Sequence, residues 1–476
     1  MSGISLGRVT TLLLIGRAAG YVLALANSVI LARVLGVERL GAYAYAMGVA
    51  AIFGLLPNLG ISTVVTRTIA QGPDAGAGVL RAAVRAQALL AGGVLIAIPA
   101  FAAILPGQPV PVGYVALAAA QLAVGTLSWP YLAVLSGRAR YDWVAVVELA
   151  AGVAGTSSLL AAGALHGGVA AFLWAHVLAA GVAVVVARRA AIPFLPTGAA
   201  QHLGIRALLR QAAPFGATAA VQSLYTRLDF LLLGQMASTA ALGLYSAAYK
   251  PANLAVYLGG TVAGPLFPLM AQGRDPGAPV TFRRAMRGLG AAAPAMALTF
   301  SGLAGPLLRV LYGAEFAVAA PILVLLAWSA AANWLYAPLG AALQARGQEL
   351  WWLASLGGGL ALNAAGNLWA IPLWGAVGAA AATLASEAAL VGLGAFLMSR
   401  KLGILPPVRP VLVGLGATAA GGAVLWMLGD VGSVPATLVA LLVYGGFLIL
   451  FRIITVEDAA IVVRWVRQAA PGWSRG

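Results

Sequence analysis

The sequence contains no cysteine, and only 8% of its 476 residues are charged. The absence of cysteine excludes disulfides, thiolate metal sites and cysteine nucleophiles. Soluble proteins carry about 25% charged residues, so the scarcity of charge excludes an ordinary soluble domain. The sequence also lacks a glycine-rich phosphate loop, a cluster of metal-ligating side chains and a Ser/His/Asp set. We therefore expect neither an enzyme nor a resident cofactor.

Hydrophobic residues, by contrast, make up 62% of the chain. They form many runs of about 20 residues or more, which is the length that crosses a bilayer as a helix. The sequence therefore predicts an all-α polytopic membrane protein with about fourteen transmembrane helices. The predicted spans are 9–35, 41–66, 80–105, 112–136, 143–164, 168–188, 208–236, 241–271, 285–312, 317–344, 350–372, 375–398, 408–428 and 433–453.

The net charge of +16 is distributed over short loops rather than collected in one domain. Of the 28 Lys and Arg residues, 22 lie in one alternating set of predicted loops and near the termini, and Arg39 alone lies in a loop of the opposite set. Loops rich in Lys and Arg stay on the cytoplasmic side. We therefore expect both termini to be cytoplasmic, and we expect no nucleic-acid partner.

The first and second groups of six spans share short motifs in the same order. Gly41 and Tyr43 of "LGAY" correspond to Gly243 and Tyr245 of "LGLY". Such ordered matches indicate an internal duplication. Because six is even, the two copies have the same orientation, which predicts parallel repeats around a central cavity. The predicted organisation is a first lobe (1–197), a second lobe (198–403), two added helices (404–455) and an interfacial cytoplasmic tail (456–476).

Three segments resemble a known family. Residues 30–71, "ILARVLGVERLGAYAYAMGVAAIFGLLPNLGISTVVTRTIAQ", resemble the opening helix pair of the polysaccharide-biosynthesis transporters of the O-antigen flippase type. Residues 208–236 and 242–272, which include "YTRLDFLLLGQM" and "LGLYSAAYKPANLAVYLGG", resemble the start of the second half of these proteins. The similarity extends over about residues 5–400.

The resemblance implies a member of the multidrug/oligosaccharidyl-lipid/polysaccharide exporter superfamily. It implies alternating access and the flipping of a polyprenyl-diphosphate-linked oligosaccharide across the bacterial or archaeal cytoplasmic membrane. The expected partners are this glycan lipid and the membrane lipids, with glycan polymerase machinery as a further candidate, and we expect a monomer. The resemblance implies a cationic cavity for the diphosphate and leaves coupling to H⁺ or Na⁺ open.

Three alternatives stay open at this point. Lipid II flippases carry an Arg-Ser-Gly signature in the first helix, where this chain reads "GRAAG" at 16–20. Multidrug exporters use acidic residues in the first lobe, and Glu38 is the only acid in or near the first two spans. An O-antigen polymerase or ligase would need a long outer loop bearing Arg or His, and the predicted outer loops are short.

Three cations lie away from the predicted helix ends, namely Arg17, Arg227 and Lys250. A charge at the bilayer centre costs about 2.5–3.5 kcal/mol on insertion scales, so such residues usually face a cavity or a partner. Arg and Lys can donate charged hydrogen bonds to phosphate. We interpret all three as substrate-binding residues, although Arg17 could instead extend to the cytoplasmic interface.

The buried acids and the histidine require other roles. Asp229 and Lys250 lie at similar predicted depths, about 10 and 13 Å from the outer ends of neighbouring spans. This predicts an ion pair with either a structural or a coupling role. His176 and Glu387 lie at nearly equivalent positions of the two repeats, and either could couple transport to protons. A hydrogen bond between helices is the alternative role for His176.

Overall fold

The structure is a computed structural model, and it describes residues 6–72, 76–196, 204–263, 270, 278–429 and 432–453. Within these ranges, side chains are described except at 6–19, 21, 55, 214–222, 261–263 and 278–279. The predicted cytoplasmic tail, residues 456–476, lies outside the described residues. The statements below concern the described part of the chain.

Fourteen α-helices make up nearly all of the described residues. They are α1 (Leu6–Ile52), α2 (Ile61–Gln71), α3 (Ala77–Ile104), α4 (Val112–Thr126), α5 (Trp129–Gly137), α6 (Tyr141–Ala164), α7 (Val169–Ala191), α8 (Ile205–Met236), α9 (Thr239–Ala263), α10 (Ala278–Tyr312), α11 (Ala320–Ala345), α12 (Glu349–Leu402), α13 (Val408–Met427) and α14 (Ser433–Leu450). Short 3₁₀ turns lie at Phe53–Leu55, Ile192–Phe194 and Ala314–Ala319.

The helices confirm the prediction of an all-α polytopic membrane protein. Nine helical segments of the described ranges are long and apolar enough to cross a membrane. Two long helices each contain the junction of two predicted spans. α1 breaks at Gly36, where φ is 70°, and α12 breaks at Gly375, where φ is 54°. Because positive φ is costly for residues with a side chain, glycine permits the chain to change direction at these two points.

The second predicted span, 41–66, is wrong as a continuous helix. α1 ends at Ile52, the 3₁₀ turn ends at Leu55, and α2 begins only at Ile61. Pro57 offers no backbone donor to a helix, and Leu59 and Gly60 have φ values of 42° and 82°. Asn58 supports the restart, because its Oδ1 accepts hydrogen bonds from the Ser62 N–H (3.0 Å) and hydroxyl (2.9 Å). The span is therefore an interrupted helix with a polar joint.

Two compact units divide the chain. The first comprises Met1–Lys250, Leu311–Phe316 and Leu360–Ala382, and the second comprises Pro251–Val310, Ala317–Gly359 and Thr383–Gly476. The core of the first unit includes buried side chains of α2, α3, α5 and α8. In the second unit the added helices α13 and α14 pack on α10. The lobe boundaries inferred from the repeat stay a prediction.

The hydroxyl of Tyr444 on α14 illustrates how the added pair is attached. It donates a hydrogen bond to the Ala291 carbonyl of α10 at 2.5 Å. A carbonyl in a helix already accepts one backbone hydrogen bond, and it can accept a second from a side chain. Gly302 of α10 also lies so close to Thr437 of α14 that a side chain would not fit between them. Small residues of this kind allow helices to approach closely in a membrane.

Two repeat-equivalent glycines bring α1 and α9 into backbone contact within the first unit. A Cβ atom added to Gly41 would overlap the carbonyl oxygen of Thr239 and lie 2.9 Å from the nitrogen of Gly243. A Cβ atom added to Gly243 would overlap the carbonyl oxygen of Val37 and lie 3.1 Å from the nitrogen of Gly41. The contact is thus reciprocal, because Val37 and Gly41 occupy the same repeat positions as Thr239 and Gly243.

We predict that Gly41→Ala destabilises the protein by about 1–3 kcal/mol, because the added methyl group overpacks a contact between two backbones. The measurement is the thermal unfolding midpoint of the purified protein in detergent. The matched control is Gly92→Ala on α3, where nothing lies within 4 Å of an added Cβ atom. Equal unfolding midpoints for the two variants would contradict the inferred crossing.

Candidate functional site

A cavity of about 160 Å³ lies within the first unit and contains the side chain of Lys250. We call it the Lys250 cavity. Segments of α1, α7 and α9 and the end of α10 surround it. Its polar lining residues are Asn27, Ser28, Tyr43, His176, Ser246, Lys250 and Tyr312. No carboxylate lies among the described residues that line it, so the cavity is cationic.

His176 on α7 has a fixed position in the wall of the Lys250 cavity. Its Nε2 atom lies 2.6 Å from the hydroxyl oxygen of Tyr43 on α1, which makes a short hydrogen bond. The two rings are also in contact, with centroids 5.7 Å apart. Which atom donates depends on the histidine tautomer. The predicted helix–helix hydrogen bond of His176 is therefore present, and the same residue faces the cavity.

Other hydrogen bonds fix the polar wall of the cavity. The hydroxyls of Ser28 and Tyr312 lie 3.2 Å apart, and the hydroxyl of Thr156 donates to Asn27 Oδ1 at 2.7 Å. Arg33 Nε donates to the Leu311 carbonyl at 2.8 Å, at the end of α10. Carbonyls in the last turn of a helix have no intrahelical partner, so Arg33 satisfies one of them.

The predicted ion pair between Asp229 and Lys250 is wrong. The carboxylate of Asp229 accepts hydrogen bonds from the Tyr245 hydroxyl and from the Phe230 N–H, the latter at 3.0 Å. Lys250 forms no ion pair with any described residue. Asp229 lies about 10 Å from the end of α8, and Tyr245 lies about 9 Å from the start of α9.

The helix geometry explains the error. Lys250 lies eleven residues into α9, or about 16 Å, and therefore deeper than Asp229. It is also about 140° around α9 from Tyr245, because five residues separate the two. Tyr245 therefore lies at the depth of Asp229 and on the face of α9 that contacts α8, whereas Lys250 lies on the face that lines the cavity.

Arg227 on α8 is the second predicted cation that the structure describes. Its guanidinium carbon lies 6.0 Å from the ring centroid of Phe230. The side chain is half-buried and forms no ion pair with a described residue. Lys250 is within electrostatic range of both Arg227 and His176. The structure thus places Arg227 within electrostatic range of both Lys250 and the buried Asp229, and it places His176 and Lys250 in the wall of one cavity.

Residues 30–321, more than half of the chain, match the sequence model of one protein family. The matching family is described as polysaccharide biosynthesis protein. The chain belongs to this family. The resemblance of residues 30–71 and 208–236 is therefore confirmed. No curated protein matches the sequence.

Solved structures with a similar fold place this family member among known transporter folds. Lipid II flippase MurJ, in an inward closed conformation, has a TM-score of 0.76 at 15% identity, over 93% of this chain and 99% of its own. An inward-facing multidrug resistance MATE family transporter of the MOP superfamily has a TM-score of 0.61 at 15% identity, over 80% and 94%. A mutant of the Vibrio cholerae MATE transporter VcmN has a TM-score of 0.59 at 17% identity, over 83% and 96%.

Two predicted site residues of this polysaccharide biosynthesis protein remain, Arg17 and Glu387. The side chain of Arg17 lies outside the described residues, so its predicted role in substrate binding stays a prediction. Glu387 is buried in the second unit beside the buried Ser386, whereas His176 belongs to the first unit. His176 lines the Lys250 cavity of the first unit, and the predicted coupling role of Glu387 stays a prediction.

Sequence reasoning missed the tyrosines of the site. Tyr43 and Tyr245 are repeat-equivalent, and each bonds an ionisable group inside the membrane, His176 and Asp229 respectively. The signal was available, because both tyrosines belong to the matched "LGAY" and "LGLY" motifs. A hydroxyl repeated at one position in both halves is consistent with a shared bonding role.

We predict that Tyr245→Phe lowers the free energy of unfolding by about 1–3 kcal/mol, because it leaves a buried carboxylate oxygen without its donor. A double-mutant cycle with Asp229→Asn measures the coupling through the unfolding midpoint in detergent. We expect the effect of the double variant on the unfolding midpoint to be clearly non-additive.

A second experiment exchanges the two charges, Asp229→Lys with Lys250→Asp. We expect the exchanged variant to be no more stable than the two single variants, and a recovery towards the wild-type unfolding midpoint would support the ion pair instead.

Proposed function

We propose that this protein is a flippase that moves a polyprenyl-diphosphate-linked oligosaccharide across the cytoplasmic membrane by alternating access. Membership of the polysaccharide biosynthesis family supports the glycan lipid as the substrate class. The fold shared with a lipid flippase and with exporters supports transport rather than catalysis. In this proposal the glycan lipid is the transported substrate, and it is not a cofactor.

The observation that carries the proposal is the position of Lys250, an exposed residue that lines a cavity without a lining carboxylate. A cation inside a membrane protein is costly unless it has a partner. The structure supplies no anionic partner among the described residues, and a diphosphate carries two negative charges when both ends are esterified. Arg227 is within electrostatic range of Lys250 and of the buried Asp229, and we propose that its remaining positive field adds attraction for the same anion.

The other lining groups suit the rest of the head group. Ser28, Ser246 and Tyr312 bear hydroxyls, and Asn27 bears an amide. These groups can exchange hydrogen bonds with sugar hydroxyls. The lipid tail would stay in the bilayer. A cationic drug is a poor occupant of this cavity, since it would meet Lys250 and would find no acid on the described wall.

Lipid II is the second candidate substrate, because the lipid II flippase MurJ has a similar fold over nearly the whole chain. Lipid II is itself a polyprenyl-diphosphate-linked sugar, so the charge argument applies equally to it. The departure from the Arg-Ser-Gly signature at "GRAAG" favours an oligosaccharide. The two candidates are separated by offering both lipids to the same reconstituted protein.

The location and the partners follow from the same proposal. The distribution of Lys and Arg supports an inner-membrane protein with cytoplasmic termini. The substrate must be made by glycosyltransferases on the cytoplasmic side and consumed on the other side, so glycan polymerase machinery is a proposed partner. We propose a monomer as the working unit, since the repeat supplies two lobes within one chain.

We predict that Lys250→Ala reduces translocation at limiting substrate at least tenfold, because loss of a charged hydrogen bond costs about 1.5–3 kcal/mol. The measurement is the transfer of a fluorescent polyprenyl-diphosphate oligosaccharide between leaflets of proteoliposomes. Lys401→Ala is the matched control, since this lysine lies over the ring of Trp351 at 4.0 Å and outside the cavity. Arg227→Ala should reduce transfer in the same direction.

Two results would overturn the proposal. One is a normal rate for both Lys250→Ala and Arg227→Ala. The other is a wild-type protein that moves neither glycan lipid but exports organic cations. Protein amount in the vesicles is measured in every case, so that a folding defect is not mistaken for loss of transport.

A further inference from the structure

His176 lies at the junction of two cavities of the first unit. On one side it lines the Lys250 cavity. On the other it lines a second cavity of about 300 Å³, whose polar residues include Gln121, Thr126 and Ser128. The imidazole is thus accessible from both cavities, although it lies about 10 Å into α7. A proton acceptor placed between two polar cavities inside a membrane can exchange protons with either of them.

The groups that face His176 set the electrostatic consequence of its protonation. From α1 the facing group is Tyr43, from α9 it is Lys250, and Tyr312 at the end of α10 lines the same cavity. From α4 and α6 the lining residues are Gln121 and Ala151, which do not titrate. Among the described lining residues of both cavities no carboxylate is present to stabilise an imidazolium.

We propose that His176 is the residue at which a proton binds together with the anionic head group. The proposal rests on the proposed function. In its neutral form the imidazole shares one hydrogen bond with Tyr43, between Nε2 and the tyrosine hydroxyl. When Nε2 takes up a proton from hydronium, which leaves as water, the ring becomes a cation in the same cavity wall as Lys250, and its Nε2–H donates to the Tyr43 oxygen. The head-group anion supplies the negative charge that two neighbouring cations need.

Proton binding and anion binding at this site therefore stabilise each other. By linkage, the effect is reciprocal: the anion favours the protonated histidine, and the protonated histidine favours the anion. Release of the anion then leaves two like charges in the wall of one cavity, and their repulsion favours loss of the proton. The substrate and one proton would enter and leave the site together, and this identifies H⁺ rather than Na⁺ as the coupling ion at His176.

The test measures the affinity of the purified full-length protein for UDP-glucose as a function of pH. This probe carries a sugar on a diphosphate with both ends esterified, and its phosphates do not titrate between about pH 5.5 and 8.5. We expect its affinity to fall about tenfold as pH rises through this range. In His176→Gln, which keeps a hydrogen-bonding side chain, we expect an affinity that does not change with pH.

Two further variants assign the titration to His176. Lys250→Arg replaces the other titratable cation by one that stays charged, so we expect its affinity to retain the pH dependence whatever its absolute value. Tyr43→Phe should retain the dependence with a shifted midpoint, because the phenol only contacts the ring. Loss of the pH dependence in Lys250→Arg would overturn the assignment and would identify Lys250 as the titrating group.

Translocation in proteoliposomes separates failure of this inference from failure of the proposed function. If His176→Gln moves the glycan lipid with the pH dependence of the wild type, the inference is overturned and the flippase function stands. If the wild type moves no glycan lipid, the proposed function fails. If His176→Gln moves it at a rate independent of an imposed pH gradient that drives the wild type, proton coupling at His176 is supported.

Discussion

Gly41 and Gly243 allow α1 and α9 to cross with one backbone against the other, and the arrangement of the cavity depends on this crossing. Helices in lipid gain little from burying apolar side chains, so close packing of small residues stabilises their association. Here the packing is reciprocal, because each glycine lies against the backbone that precedes its repeat equivalent. The crossing fixes Tyr43, two residues beyond Gly41, and Tyr245, two residues beyond Gly243.

Each of these tyrosines then meets an ionisable side chain of a different helix. Tyr43 contacts His176, and Tyr245 donates to the buried Asp229. An unpaired carboxylate in hydrocarbon would be costly, and the Tyr245 hydroxyl reduces that cost without neutralising a lysine. Lys250 consequently stays available to the cavity. One duplicated motif thus sequesters the acid in one half and positions the histidine of the cavity in the other.

The fold was largely predictable because the bilayer imposes one length and one hydropathy on every spanning helix. The exception was 41–66, where hydropathy continues across Pro57 and Asn58 although the helix stops. The turn residues were visible, yet a hydropathy window averages over them. The ion pair failed for a related reason. The depth of Lys250, counted from an uncertain helix end, was about 3 Å too small, and depth alone does not say that Tyr245 rather than Lys250 lies on the face of α9 that meets Asp229.

The site was less predictable, because the sequence gives positions along helices and not which helices meet. Arg227, Lys250 and His176 were all identifiable as charges inside spans, but only the packing of α7 and α9 against α1 brings His176 and Lys250 to one cavity. Because the two residues share one cavity, the role of each has to be interpreted together with that of the other. A single cation could be tolerated by reaching water, whereas a second positive charge in the same wall without a lining acid adds a repulsion that an anion would relieve. Under the proposed function, the Lys250 cavity is half of a binding site whose other half is the head group of the substrate.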